Sequence, residues 1–159
     1  MKAGILFGSR SDIDKMKGAA RALEEFGIEW EAHILSAHRI PEELEKQLLR
    51  MENEGAGVFI CGAGLAAHLP GVVASKTVKP VIGVPLSAKL DGLDSLYSMV
   101  QMPKPVPVAV VGIDNSWNAG MLAVQILAVG SPELSEKLSA WRRNMKEKFI
   151  ADNGGGVEL

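Results

Sequence analysis

Apolar residues along this chain keep two alternating rhythms. Some fall in short runs bounded by Gly, Pro or polar residues: Ala3–Phe7, Trp30–Leu35, Val58–Cys61, Val81–Val84 and Val106–Ile113. Such runs read as strands, and the unbroken ones as strands buried on both faces. Others recur at helical spacing. Ile13, Met16, Ala20 and Leu23 mark a helix over Asp12–Phe26, with Ser11 or Asp12 able to cap its start and Gly27 placed to close it. Pro41 suits a first helical position ahead of the stripe Leu44, Leu48 and Met51, which closes near Gly55. Shorter helices are predicted from about His68 to Lys76 and over Leu93–Met102. Trp117–Val129 is a strongly apolar helix, and Ser131-Pro132 opens a last one with the stripe Leu134, Leu138, Trp141, Met145 and Phe149. From Ala151 the periodicity stops, so 151–159, with Gly154-Gly155-Gly156, reads as a flexible tail.

Strand and helix alternate, which predicts one α/β domain over residues 1–150: a parallel sheet with helices on both faces, a three-layer αβα sandwich. Right-handed crossovers leave few topologies, and the flavodoxin-like order 2-1-3-4-5 is the expected one. In that order the chain reverses direction beside its first strand. Open α/β sheets bind ligands at that reversal, outside the carboxyl ends of the strands. The exits of the first three strands are therefore expected to converge.

Charge narrows the partners. Lys plus Arg number 17 against 19 Asp plus Glu, a net charge of -2. That balance argues against nucleic acid or a membrane surface as partner, while leaving room for a local cationic cluster around an anion. No apolar stretch approaches the ~20 residues of a membrane helix, and Met1-Lys2-Ala3-Gly4 leads into a run too short for a signal segment. Cys61 is the sole cysteine, so no intrachain disulfide is expected. A soluble cytoplasmic protein is the expectation.

The three converging exits hold most of the candidate chemistry. Gly8-Ser9-Arg10-Ser11-Asp12 is a Gly/Ser turn entering a helix, with free N–H groups, a positive dipole end and two hydroxyls. A single phosphate suits it; the spacing fits neither a Walker loop nor a dinucleotide fingerprint. Asp12 would repel a phosphate set directly beside it, so it either accepts sugar hydroxyls or caps its helix. Ser36-Ala37-His38-Arg39 offers a bidentate clamp in Arg39 and, in His38, an imidazole that exchanges protons near neutrality. The plainer account is a surface His-Arg pair. Ala66-Ala67-His68-Leu69-Pro70 sets His68 among small residues at a helix start, either facing a ligand or capping its helix. His33, inside a strand pattern, reads as structural. His38, His68 and Cys61 match no metal-site spacing, so no metal is expected. Two histidines, a phosphate cradle and a clamping Arg point to proton transfer on a small phosphorylated molecule.

Taken together these turns resemble the signature segments of the N5-carboxyaminoimidazole ribonucleotide mutase family, also called the catalytic subunit of phosphoribosylaminoimidazole carboxylase. Pro80–Pro85, Asp94–Ser98, Val100–Pro103 and Asn118-Ala119 are similar to that family as well, and the resemblance runs from about Lys2 to Phe149. It implies a homo-octamer with sites near subunit contacts, and a reaction without ATP, metal or cofactor that moves a carboxylate from the exocyclic nitrogen to ring C4. It also implies roles: Ser9, Asp12 and Arg39 on the ribonucleotide's phosphate and ribose, with Ser11 and Ser36 close by. His38 would transfer protons, and His68 would orient the carboxyl group or CO2. A related branch carboxylates the aminoimidazole ribonucleotide directly with CO2 and lacks the Ala-Ala-His-Leu-Pro segment, which favours the mutase here. Ile40, Leu65 and Pro105 depart from the usual Thr, Gly and Gly. Under this resemblance the last two helices serve either the core or an assembly interface.

Two readings from other classes compete. A flavodoxin-like FMN carrier would want aromatic residues at the three exits, and none is present beyond Phe7. A phospho-ligand sensor would use the histidines only as polar lining.

Overall fold

The computed structural model describes residues 1–155. Its elements are β1 (Lys2–Phe7), α1 (Ile13–Glu25), β2 (Glu29–Ile34), α2 (Pro41–Asn53), β3 (Ala56–Gly64), α3 (Leu69–Lys76), β4 (Val81–Leu86), α4 (Leu93–Val100), β5 (Ala109–Val110), α5 (Ser116–Ala128) and α6 (Pro132–Asn153). The sheet is parallel and ordered β2-β1-β3-β4-β5, as the alternation predicts. Register matters most at β1, where Phe7 lies opposite Ile34 of β2 and Gly62 of β3. The exits of all these strands therefore stand close to one level.

The period-two pleat splits the buried side chains into two layers. Ile5, Val58, Ile60, Ile82 and Val84 face α1, α5 and α6, meeting Met16, Leu23, Val124 and Leu134. Leu6, Phe59 and Cys61 face the other way, against Leu44, Leu48 and Met51 of α2, Val73 of α3 and Met99 of α4. The first layer depends on a close approach of α1 and α5. A Cβ at Gly120 would lie 2.6 Å from Ala22 Cβ and 2.7 Å from the Ala19 carbonyl oxygen, so only glycine admits this spacing.

Two elements differ from their sequence patterns. The strand expected over Val106–Ile113 shrinks to Ala109–Val110. Pro105 and Pro107 lack the N–H that a ladder needs, while Val111 N–H still donates to Gly83 O at 3.1 Å and Asp114 N–H to Pro85 O at 2.8 Å. The last helix continues past Ala151 to Asn153, whose side-chain amide donates to Phe149 O at 2.9 Å. The remainder of the expected tail, 156–159, lies outside the described residues. Of the predicted stripe on α6, Leu134 and Leu138 enter the core and Trp141 meets Phe26 with centroids 5.8 Å apart. Met145 and Phe149 instead are 52% and 67% exposed, because this helix overruns the face it packs on.

A polar network ties the strand starts together. Glu31 on β2 accepts from Lys2 Nζ at 2.7 Å, from His33 Nε2 at 2.6 Å and from the Arg50 guanidinium. Lys2 and Arg50 both reach Glu54 as well, at 2.9 and 2.5 Å. Burial acts to raise the Glu31 pKa, but the hydrogen bonds from Lys2, His33 and Arg50 outweigh it and hold the carboxyl at about 2.

A carboxylate depressed in the folded state stabilises the fold above its unfolded pKa and loses that contribution as pH falls through the folded one. Glu31 therefore supports the fold fully above the ordinary glutamate value of 4.5 and progressively less toward pH 2. Urea midpoints should drop over this window, and Glu31→Gln should flatten the drop; an equally steep fall in the variant would remove Glu31 as its cause. Gly120→Ala is expected to destabilise by about 1–3 kcal/mol through overpacking of α1 on α5, read as a lower urea midpoint at unchanged slope.

Candidate active site

The turn after β1 is held by its own hydroxyls. Ser9 caps a short 3-10 turn, Arg10–Asp12, its Oγ accepting from Ser11 N–H at 3.3 Å and from Ser11 Oγ–H at 2.9 Å. Asp12 occupies the N-cap position of α1, yet its side chain makes no capping bond. Its carboxylate accepts only from Ser11 Oγ, at 3.3 Å, among the described residues. Of the two roles open to Asp12, capping is not the one that forms, and acceptor capacity is left for a ligand's hydroxyl groups.

β2 hands over to the second turn through Leu35 N–H, which donates to Phe7 O at 2.8 Å. Ser36 then shapes that turn: its carbonyl accepts from Ile40 N–H at 3.0 Å and its hydroxyl from Arg39 N–H at 3.3 Å. Pro41 fixes the first turn of α2. His38 and Arg39 are thereby presented on an exposed turn, and Arg39 makes no ion pair among the described residues. Its planar fork is free for a bidentate anion.

β3 runs past Cys61 to Gly64, and the chain turns at Leu65 with φ of 56°. This is left-handed backbone, which suits glycine and costs leucine roughly 1–2 kcal/mol. The turn brings His68 to the start of α3, where its carbonyl accepts from Val72 N–H at 2.9 Å while the imidazole makes no capping bond. The ring instead meets His38. Nε2 of His38 and Nδ1 of His68 are 2.6 Å apart, with ring planes at 75°. For that contact to be a hydrogen bond, one nitrogen must carry the proton and the other accept it. Two imidazoles from different turns thus share one proton position.

Ser9, Ser11, Asp12, Ser36, His38, Arg39 and His68 all line one cavity of about 480 Å³, a size suited to a small molecule. Ala37, Ala63, Gly64 and Ala66 complete much of its wall, so a ligand can approach the backbone closely. Apart from the two imidazoles, no aromatic ring among the described residues lines it. Among the described residues no group of three His, Cys, Asp or Glu side chains is placed to hold a metal ion. His33 stands apart in the Glu31 network. Cys61 is buried in the core, where desolvation pushes its thiol pKa up and away from nucleophilic chemistry.

The sequence pattern did not single out one contributor: Ala88, from the loop after β4, also lines the cavity. Behind it Lys15, Ser87 and Asp114 form a polar cluster. A signal was available, since Ser87-Ala88 is the next strand exit along the sheet, but an alanine carries no chemical flag.

The chain is similar to known proteins over nearly its whole length. The AIR carboxylase family model matches residues 2–148. The N5-carboxyaminoimidazole ribonucleotide mutase of Pyrococcus horikoshii is 55% identical over 146 residues, covering 91% of this chain and 82% of that protein. The phosphoribosylaminoimidazole carboxylase of Schizosaccharomyces pombe is 52% identical over 145 residues, 91% of this chain but 26% of that much longer protein. The crystal structure of Treponema denticola PurE superposes with a TM-score of 0.88 at 29% identity, covering 96% of both chains. This chain belongs to the AIR carboxylase family.

Proposed function

We infer that this protein is an N5-carboxyaminoimidazole ribonucleotide mutase, an isomerase of purine biosynthesis that converts its substrate to 4-carboxy-5-aminoimidazole ribonucleotide. The observation that carries the mechanism is the His38–His68 pair, 2.6 Å apart, lining one cavity with Arg39 and a hydroxyl-rich turn. The 55% identity to a mutase over most of both chains supports the same reading.

In this mechanism Arg39 and the Ser9–Ser11 turn hold the phosphate, and Asp12 and Ser36 take ribose hydroxyls. The bond between the exocyclic nitrogen and its carboxylate breaks, releasing CO2 into the pocket while the nitrogen gains a proton. C4 then attacks the CO2, and its own proton leaves to restore the aromatic ring. One proton is delivered and one is removed, so no co-reactant is consumed and the product is an isomer of the substrate. His38 carries the proton. His68 orients the migrating carboxyl group and, through the shared hydrogen bond, fixes which nitrogen of His38 is protonated.

Direct carboxylation of the aminoimidazole ribonucleotide by CO2 is the second reading, favoured by the S. pombe relative's name. Assembly is part of the proposal: the exposed Met145 and Phe149, with Ile150 beside them, form an apolar end to α6 that a homo-octamer would cover. A reaction on a free nucleotide, in a protein with no helix long and apolar enough to cross a membrane among its described residues, fits the cytoplasm.

Turnover of N5-carboxyaminoimidazole ribonucleotide in bicarbonate-free buffer, beside the unsubstituted ribonucleotide with CO2, separates the two reactions. The expected result is rapid product in the first tube and little in the second at modest CO2; the reverse would establish the carboxylase. His38→Asn should lower turnover by about 10²–10⁴-fold with substrate affinity kept within about threefold, and a variant that stays active would exclude His38 as proton carrier. Phe149→Glu, at a position exposed in the single chain, should lower the sedimenting mass without lowering the helical circular dichroism; an unchanged mass would place the interface elsewhere.

A further inference from the structure

We propose that Lys15, Ser87 and Asp114 form a clamp that positions the Ser87–Gly92 loop as one wall of the substrate cavity, making Lys15 a positioning residue for substrate binding. These residues come from the first turn of α1, the exit of β4 and the exit of β5, and none belongs to the three converging turns. Lys15 Nζ donates to the Ser87 carbonyl at 2.5 Å and to Ser87 Oγ at 2.6 Å, and pairs with Asp114 at 3.2 Å. Ser87 N–H donates to Asp114 Oδ1 at 2.9 Å, and its hydroxyl donates to the same carboxylate. Every polar group of Ser87 is therefore held by one or both of these partners.

The loop beyond Ser87 needs such an anchor. Leu90, Asp91 and Gly92 have φ of 46°, 52° and 85°, left-handed backbone that is costly for the two non-glycine residues. A Cβ at Gly92 would lie 2.7 Å from Ile113 and 3.2 Å from Ser87 Cα, so the loop folds tightly back on its own start. It reaches the site through Ala88, which lines the cavity. A Cβ at Gly64 would meet the Leu86 carbonyl oxygen at 3.1 Å and Ala88 Cβ at 3.5 Å, so the loop also packs on the strand end that leads to Leu65 and His68.

The cluster is also fixed from behind. Ser116 Oγ donates to the Lys15 carbonyl at 2.5 Å, tying the lysine's backbone to the start of α5. Burial acts to raise the Asp114 pKa, but hydrogen bonds from Ser87 and Lys15 prevail and hold it below the ordinary aspartate value. Lys15 lies one helical turn beyond Asp12 on α1, so the helix that presents a substrate-binding carboxylate also holds the opposing loop in place.

The inference rests on the mutase reading for its substrate, and the test separates the two. Full-length Lys15→Met, Lys15→Arg and Ser87→Ala are compared by hydrogen exchange over 87–92 and by steady-state kinetics with N5-carboxyaminoimidazole ribonucleotide. Lys15→Met should speed loop exchange and raise KM, each about tenfold, with kcat within about threefold. Lys15→Arg should recover most of that loss, and Ser87→Ala, which alters no charge, should move both readouts the same way by less. A loop that exchanges at the wild-type rate in Lys15→Met, a looser loop with unchanged KM, or a fall in kcat at unchanged KM would each overturn the clamp. A wild-type protein silent toward this substrate would sink the mutase reading and with it Lys15's role in binding that substrate, while loop exchange would still judge whether Lys15 holds the 87–92 loop.

Discussion

The register of β1 between β2 and β3 is the constraint on which the rest of the molecule depends. Because Phe7, Ile34 and Gly62 stand side by side, three chain exits leave the sheet at nearly the same height. Each exit then needs only a short turn to bring its polar groups to a shared cavity. A slip of one residue in a parallel pairing would reverse which face each side chain occupies. It would separate His38 from His68 as surely as it would push Phe59 and Ile60 each into the opposite core layer.

Strain in this molecule has a location. Leu65, Leu90, Asp91 and Asp114 adopt left-handed backbone, and all lie in segments leaving the carboxyl ends of strands β3, β4 and β5. At the opposite end, where helices return to strands, the left-handed positions are Gly27 and Gly55, which tolerate them without a side-chain clash. Costly conformations are thus concentrated around the cavity, where they set the direction of His68 and the position of Ala88.

Charge is divided along the same axis. Toward the strand starts, Lys2, Glu31, Arg50 and Glu54 neutralise one another in a network that joins β1, β2 and α2. Toward the strand ends Arg39 is left without an ion-pair partner among the described residues, beside hydroxyls and imidazoles. A paired cation contributes to holding the fold, whereas an unpaired one at a cavity is available to an anionic ligand. Lys15 at the same end is paired with Asp114, so it is Arg39 in particular that is left open to a ligand.

Much of this was legible in the chain itself. Strand and helix alternation, through crossover handedness, determined the sheet order, and the Ser, His and Arg residues at successive exits determined which side chains would line the site. These properties are local: residue spacing sets the element, and topology places its end. The run Val106–Ile113 read as a full strand, and its contraction to Ala109–Val110 was not legible, because pairing also requires a partner edge. The periodic stripe on α6 could not tell buried Leu138 from exposed Phe149, since periodicity records a face and not where its neighbour stops. Only the tertiary structure joined His38 to His68 by one hydrogen bond and brought Lys15, Ser87 and Asp114 together across the sheet. Those contacts link residues far apart in sequence, and their distances are decided by packing between layers, which no local pattern encodes.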